Sequence, residues 1–222
     1  MTLLKNCKYS ALIIVSLLSL LMSFNSLATQ KSYRFDVYLN EDPIGYHEFI
    51  VEDKTEHEEV KIKAEFDVYF LVIPVYSYIH NNTEKWHNGC LRELNSSTDD
   101  NGDNSFVELT RTGSTTKINT GNNTTTSEEC IRSFSYWNPE HLKTNKLLNA
   151  QTGEVLEVKF SYVGQEMLPL HGELVKSKRY QITGENLKIN LWYNKQDEWI
   201  ALNSQIDEEQ TLRYVLQKGV KI

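Results

Sequence analysis

The chain has 222 residues with 23 basic and 30 acidic side chains, which gives a net charge of −7 at neutral pH. A surface this acidic repels nucleic acid and anionic lipid head groups, and no cluster of lysine and arginine interleaved with aromatic residues offsets it. The sequence therefore excludes nucleic-acid binding. The length fits a single domain, since no repeat and no Pro/Gly/Ser-rich linker divides it.

The first 28 residues are predicted to be a cleaved secretory signal peptide. Lys5 and Lys8 precede an apolar run, residues 11–22, and Ser26-Leu27-Ala28 offers a cleavage site with small residues. The alternative is an uncleaved anchor, although the run is short for a membrane span, which needs about 20 residues. Removing residues 1–28 takes away two lysines and no acidic residue, so the net charge becomes −9. We expect residues 29–222 to form one β-rich domain that is not an integral membrane protein.

The dominant hydrophobic period after residue 28 is two. Apolar residues alternate with charged ones most clearly from Val60 to Phe70, which predicts a strand with one buried face and one solvated face. The same pattern predicts strands at 33–39, 156–162, 187–191 and 212–216. Residues 112–128 are rich in Thr, Asn and Gly and are predicted to be a loop or a hairpin tip.

Turn signals separate these strands. They lie at Asp42–Gly45, Asn88-Gly89, Asn101-Gly102 and Thr183–Asn186. Pro74 cannot donate to a central ladder, so it predicts a bulge, a break or an edge. About a dozen short strands at hairpin spacing must twist and curl. The predicted fold is mainly β: an antiparallel meander curled into an open half-barrel, with one or two short helices as a plug.

The predicted plug begins at Asn138-Pro139-Glu140, which combines a capping residue, a proline at the first helical position and an acidic residue in the first turn. The helix is predicted to end near Asn149. Phe134, Tyr136 and Trp137 precede it and can pack against the sheet.

Two cysteines remain after the predicted signal peptide, Cys90 and Cys130. An exported chain with two cysteines most simply joins them, so we predict a disulfide that ties the approach to the plug. A metal site and a reactive thiol are the competing interpretations. Neither has a supporting spacing.

Seven strings occur in this order in one known family: LNEDPIGYHEF, FLVIPVYSYIH, WHNGCL, TDDNG, SFSYWNP, LLNAQTGE and LWYN. On these strings the chain resembles a domain-of-unknown-function family of exported proteins from Gram-negative bacteria. The resemblance runs from about Tyr33 to Leu216. It implies a periplasmic address, and it brings no established activity or catalytic residues.

Two groups of residues could carry chemistry. Asp99, Asn101 and Asp103 have the first spacings of a calcium loop, but position six is Asn104 instead of glycine, and a hairpin turn explains them better. His80, Glu84, His87 and Cys90 match no zinc signature. No G-x-S-x-G string or dinucleotide fingerprint occurs. We therefore assign no catalytic residue, no metal ligand and no cofactor.

The 12 Tyr, 8 Phe and 4 Trp residues either fill a core or line a pocket inside the curl. The residues proposed to contact a ligand are Trp86, Tyr136, Trp137, Trp192 and Trp199. The leading hypothesis is a non-enzymatic protein that binds an apolar or amphiphilic, lipid-like envelope molecule on the concave face. The alternatives are an assembly factor that acts through an envelope protein and an uncharacterised hydrolase that uses Asp99, Asp100 and histidines.

Overall fold

The computed structural model describes residues 29–218. The predicted signal peptide at 1–28 lies outside the described residues. Fifteen strands and a 3-10 helix, Pro139–Leu142, form within them. The strands are β1 (Thr29–Leu39), β2 (Asp42–Asp53), β3 (Glu58–Phe70), β4 (Ile73–His87), β5 (Cys90–Asp100), β6 (Asp103–Thr112), β7 (Thr115–Asn119), β8 (Thr124–Ser127), β9 (Lys146–Leu148), β10 (Val155–Glu157), β11 (Lys159–Leu170), β12 (Glu173–Gly184), β13 (Leu187–Tyr193), β14 (Trp199–Gln205) and β15 (Thr211–Leu216).

Thirteen of these strands form one antiparallel sheet. Its order is β11-β12-β13-β14-β15-β1-β2-β3-β4-β5-β6-β7-β8, so the two halves of the chain meet where β15 pairs with β1. The sheet is not closed, because β11 and β8 remain as its edges. Strands β9 and β10 pair with each other in a separate small sheet. The predicted open, curled antiparallel meander is confirmed.

The concave face of the sheet carries the core. Tyr33, Phe35 and Val37 of β1 are at most 2 % exposed. The Trp199 ring is fully buried and lies 4.0 Å from the Phe35 ring, centre to centre. The period-two pattern produces this arrangement, since alternate residues of a strand point to opposite faces.

The antiparallel pairing sorts the turns to two ends of the sheet. The β1–β2, β3–β4 and β5–β6 turns lie at one end, which we call the β3–β4 end, and the β2–β3 and β4–β5 turns lie at the opposite end. The Asn88-Gly89 and Asn101-Gly102 turns have positive φ at both residues, as predicted. The first predicted turn was wrong: Asp42–Gly45 belong to β2, and Asn40, with φ of 54°, turns the chain.

Pro74 marks an irregularity in the sheet, as predicted. The pairing of β3 with β4 shifts between Val68 and Tyr69, and Tyr69 lies opposite Pro74. The prediction of a loop at 112–128 was wrong in part, because β7 and β8 form there. Thr116 and Ile118 are buried on one face of β7, so the sheet extends across a segment of polar composition.

Residues 128–158 connect β8 to β11 and pack on the concave face; we call them the plug. Leu142, Leu147 and Leu148 of the plug are fully buried. The Tyr193 hydroxyl donates to the Tyr136 carbonyl oxygen at 2.8 Å and fixes the plug against β13. The plug therefore supplies the apolar cover that the curled sheet needs.

The helix in the plug is much shorter than predicted. Its start is as expected, with the Asn138 side chain accepting a hydrogen bond from the Glu140 backbone N–H. It ends at Leu142 instead of Asn149, since the Val158 N–H bonds the Asn145 carbonyl and residues 146–148 pair with β10. Long-range strand pairing overrides the local helix signal there.

The predicted disulfide between Cys90 and Cys130 is present, with the two Cα atoms 5.3 Å apart. It joins the start of β5 to the start of the plug.

Within residues 29–218, no helix has the length and apolar character that crossing a bilayer would require.

Candidate functional site

A cavity of about 250 Å³ lies between the concave face and the plug, and extends from the middle of the sheet toward the β3–β4 end. Phe49, Ile62 and Ile189 form part of its apolar wall, and Tyr136 of the plug also lines it. We call this space the central cavity. Its apolar wall faces an unusual set of buried polar side chains.

Strand β4 supplies most of these polar groups. His80, Asn82 and Glu84 occupy alternate positions of β4, so they share its concave face, and they are 7 %, 3 % and 2 % exposed. A polar side chain costs free energy when it is buried without hydrogen bonds. Three successive positions of this kind on one buried face therefore indicate either a hydrogen-bonded network or a binding site.

Glu84 is the centre of a hydrogen-bonded network. Its carboxylate accepts bonds from Trp86 Nε1 at 2.8 Å, Ser133 Oγ at 2.8 Å and Asn82 Nδ2 at 2.9 Å. Burial raises the pKa of Glu84, and these hydrogen bonds oppose that shift. Because Ser133 belongs to the plug, the carboxylate also links the plug to β4.

The two histidines of the cavity are neutral at pH 7. His80 Nδ1 lies 2.8 Å from the Thr98 hydroxyl, and His47 Nδ1 lies 3.1 Å from the Tyr214 hydroxyl. Burial lowers the pKa of His80 to about 4 and, with a smaller contribution from His80, the pKa of His47 to about 3. The cavity therefore presents neutral donors and acceptors beside one hydrogen-bonded carboxyl group.

Several polar atoms of the central cavity have no hydrogen-bond partner within the protein. Six buried side-chain atoms of this kind occur in the described residues, and three of them belong to residues that line this cavity: His47 Nε2, Asn82 Oδ1 and Ser135 Oγ. Of these three, the Ser135 hydroxyl lies close enough to the Glu84 carboxylate to help lower its pKa, so His47 Nε2 and Asn82 Oδ1 are the atoms left without any polar neighbour to bond. Buried polar atoms are paired in the large majority of cases. Their concentration here indicates a place where a bound molecule completes the hydrogen bonding.

Four other cavities of the described chain have volumes of about 260–640 Å³; the two smaller ones have none of the unpartnered atoms in their lining, and the two with the largest volumes differ in character. One of about 460 Å³ lies at the opposite end and is lined by six charged side chains, including the Lys178–Asp197 ion pair. Only one of the six unpartnered atoms, Trp137 Nε1, belongs to its lining. The other, of about 640 Å³, lies beside β8 and β10 and has none of them in its lining. The central cavity is therefore the best candidate site.

The five aromatic residues proposed from the sequence lie in different places. Tyr136 lines the central cavity and Trp137 lines the cavity at the opposite end. Trp86 and Trp199 are fully buried and line neither. Trp192 lies on the convex face, where its Nε1 donates to Glu166 Oε1 at 2.5 Å. The structure therefore brings one of the five to this site.

Sequence reasoning missed most of the residues of the site. His47 and Tyr214 lie on strands distant in sequence, and Ser133 and Ser135 come from the plug. Only long-range pairing brings these four together. The one local signal was the alternation of His80, Asn82 and Glu84 within β4, which indicates that they share a face but not that the face is buried.

The geometry gives no support to the hydrolase hypothesis. Neither cavity histidine bonds an acid, and Asp100 accepts bonds from the Tyr76 hydroxyl and Gln151 Nε2. The Asp99 carboxylate accepts a bond from the Gly102 backbone N–H, as a hairpin turn requires. No group of three His, Cys, Asp or Glu side chains within residues 29–218 is arranged to hold a metal ion.

The Glu84 network gives a direct prediction. Glu84→Ala leaves the Trp86 N–H, the Ser133 hydroxyl and the Asn82 amide without their acceptor, so we expect the free energy of unfolding to fall by about 3 kcal/mol. Urea denaturation at pH 7 measures this change. The matched control is Glu93→Ala on β5, which removes an exposed ion pair with Lys85 and should change stability by less than about 0.5 kcal/mol. Equal effects of the two substitutions would refute the structural role of Glu84.

Residues 29–218 form an open, curled β half-barrel with an internal plug, and buried polar side chains line the cavity between the two. The chain belongs to the family described as a domain of unknown function (DUF6134), which matches residues 35–217. The predicted membership of a domain-of-unknown-function family is thus confirmed. No curated protein and no solved structure gives a significant match.

Proposed function

We propose that this protein is a non-enzymatic binding protein that holds a neutral amphiphile in its central cavity. The observation that carries the proposal is the pair of unpartnered polar atoms, His47 Nε2 and Asn82 Oδ1, with the Ser135 hydroxyl near Glu84, in the lining of a cavity whose wall is partly apolar. Ligand sites combine an apolar lining with a few well-placed polar groups in this way.

The hydrogen-bonding groups favour an uncharged polar end. Asn82 Oδ1 is an acceptor and Ser135 Oγ is both a donor and an acceptor, so a hydroxyl or amide group of the ligand complements them. Both histidines are neutral at pH 7, so neither offers a positive charge to an anion. A carboxylate or phosphate in this position would lack a positive partner.

The size of the cavity limits the ligand. At about 30 Å³ for a water-sized group, 250 Å³ holds roughly eight non-hydrogen atoms. A complete lipid with two acyl chains is much larger. The proposed ligand is therefore a small amphiphile or one end of a larger lipid-like molecule.

We also propose that the protein acts in the bacterial periplasm. The Cys90–Cys130 disulfide supports this location, because such bonds persist in oxidising compartments. The alternative role, assembly through a protein partner, requires an exposed apolar surface outside the curl, and one is present at the β3–β4 turn.

Isothermal titration calorimetry with 1-octanol tests the proposal, because its nine non-hydrogen atoms are close in number to the roughly eight that the cavity holds. We expect a dissociation constant on the order of 0.1–1 mM. Octanoate should bind at least about tenfold more weakly at pH 7, since its charge has no partner in the cavity.

Two variants locate the binding. Asn82→Leu keeps the approximate volume but removes both the unpartnered acceptor and the amide that donates to Glu84, and should weaken octanol binding about tenfold. Glu58→Gln, in the cavity at the opposite end, is the matched control and should leave binding unchanged. No heat of binding for octanol, or equal losses in both variants, would overturn the proposal.

A further inference from the structure

The tip of the β3–β4 hairpin is the most exposed apolar segment of the described chain. Leu71 and Val72 are 85 % and 88 % exposed, and Ile73, Val75 and Tyr69 are each more than half exposed. Residues 71–75 are all exposed without interruption, so the tip is apolar on both of its faces. A contiguous apolar surface of this kind indicates an interaction site.

Leu71 occupies a backbone conformation that polar residues adopt elsewhere in this chain. Its φ is 58°, and the other residues with positive φ, apart from glycines, within 29–218 are Asn40, Asn88, Asn101, His171 and Asp197. Asparagine or glycine is favoured at such a position, and leucine is strained there. An apolar side chain is therefore kept at the tip at a cost in stability, which points to a function for that side chain.

The chemistry of the tip fits the hydrocarbon of a bilayer better than a protein surface. The twelve residues from Val68 to Ile79 contain no charged side chain, although the chain as a whole is acidic. A protein interface carries about one hydrogen bond per 100–200 Å², and the side chains of the tip offer almost none. Tyr69, which is 59 % exposed, lies at the base of the apolar tip, where interfacial aromatic residues lie in membrane-bound proteins.

The central cavity extends from the middle of the sheet toward the end that carries the tip. Tyr78 follows the tip on β4, lines the cavity and stacks on Phe66 at 5.3 Å between ring centres. Leu187 lines the cavity from the start of β13, beside the β12–β13 turn. A bilayer in contact with the tip would therefore face the end of the sheet toward which the cavity extends.

We propose that the β3–β4 tip inserts into the surface of a neutral lipid bilayer and presents the central cavity to the membrane from which its ligand enters. The choice of a bilayer as the partner rests in part on the proposed binding of an amphiphile. Insertion depends on Leu71, Val72 and Ile73. It needs no positive patch, so anionic lipid does not strengthen it.

Co-flotation of the purified protein with phosphatidylcholine vesicles tests this inference. Val72→Asp should reduce the bound fraction at least about tenfold, because it places a charge where an apolar side chain enters hydrocarbon. Leu71→Asn should reduce binding about tenfold while it relieves the strained turn, so a loss of folding cannot explain the result. Adding phosphatidylglycerol should not increase binding.

The β11–β12 hairpin provides the matched control. Leu174 is 65 % exposed beside the turn of this hairpin, which lies at the opposite end of the sheet, and Leu174→Asp should change the vesicle-bound fraction less than twofold. The inference is overturned if the unmodified protein does not float with vesicles, or if Leu174→Asp acts as strongly as Val72→Asp. It is also overturned if the tip crosslinks to an envelope protein without binding vesicles.

The two proposals can fail separately. Octanol binding in solution, measured on Val72→Asp, should equal that of the unmodified protein, since Val72 does not line the cavity. If the protein binds vesicles but not octanol, insertion of the tip is supported and the proposed binding of an amphiphile is refuted. If the protein binds octanol but not vesicles, the proposed ligand binding is supported and insertion of the tip is refuted.

Discussion

Acidification from pH 6.5 to 4 is expected to remove roughly 6 kcal/mol of folding stability, because His47 and His80 must each gain a proton that the folded cavity excludes. In the fold their pKa values are lowered to about 3 and about 4, whereas the unfolded chain titrates near 6.5. A lowered histidine pKa gives a contribution that is complete above pH 6.5 and is lost as the pH falls toward the folded pKa. The loss is comparable to the whole stability of a typical domain, about 5–15 kcal/mol.

Glu84 acts in the opposite direction. Its pKa is raised in the fold, so its contribution to stability is lost as the pH rises from its unfolded value toward its folded value, and acidification restores it. The net acid loss is therefore smaller than the histidines alone would give. His141 adds to the loss, because burial and the nearby Arg132 lower its pKa to about 4.

Urea unfolding at a series of pH values measures this effect. Two protons taken up on unfolding correspond to a slope of about 2.7 kcal/mol per pH unit in the steepest region. His80→Asn should remove about one of these two protons, and therefore about half of the slope, whatever its effect on stability at pH 7. A stability that stays constant between pH 6.5 and 5 would contradict the buried, neutral state of the two histidines.

Loss of the Cys90–Cys130 disulfide is the second large effect that we expect. The bond closes a loop that contains all of β5 to β8, with a sequence separation of 40 residues, and the chain-entropy model gives about 4 kcal/mol for a loop of this length. The double variant Cys90→Ser/Cys130→Ser should lower the free energy of unfolding by that amount. The plug should then also open more often from the sheet, because its N-terminal attachment is gone.

Reductant provides the control for this prediction. It should destabilise the unmodified protein by a similar amount and leave the double variant unchanged. Hydrogen exchange should locate the loss of protection in the plug, for example at the Leu148 N–H, which bonds the Arg132 carbonyl. A change in stability below about 1 kcal/mol would refute the role of the disulfide as the fastener of the plug.

The sequence predicts the sheet well wherever one face of a strand is apolar. The alternation in β1 and β3 gives both the strand and its buried face, and the Asn-Gly pairs give two turns. The alternation of apolar and polar residues does not reveal the buried face of β4. That face carries His80, Asn82 and Glu84, which a period-two pattern assigns to solvent. The candidate site lies where the hydrophobic pattern predicts the wrong face to be buried, because the site consists of buried polar groups.

Other features could not be predicted because they depend on contacts far apart in the sequence. The Asn138 cap starts a helix locally, but pairing of β9 with β10 ends it after one turn. Trp192 and Trp199 are both buried in neighbouring strands, yet Trp199 packs on Phe35 at the concave face whereas Trp192 donates to Glu166 on the other face of the sheet. Composition identifies aromatic residues but not the face on which each one lies.

A crystal structure of the protein grown with 1-octanol tests the central claim most directly. The account predicts density in the central cavity, with the hydroxyl within hydrogen-bond distance, about 3 Å, of Asn82 Oδ1 or Ser135 Oγ. Octanol bound only in the cavity at the opposite end, or ordered water alone beside Asn82 and Ser135, would contradict the account.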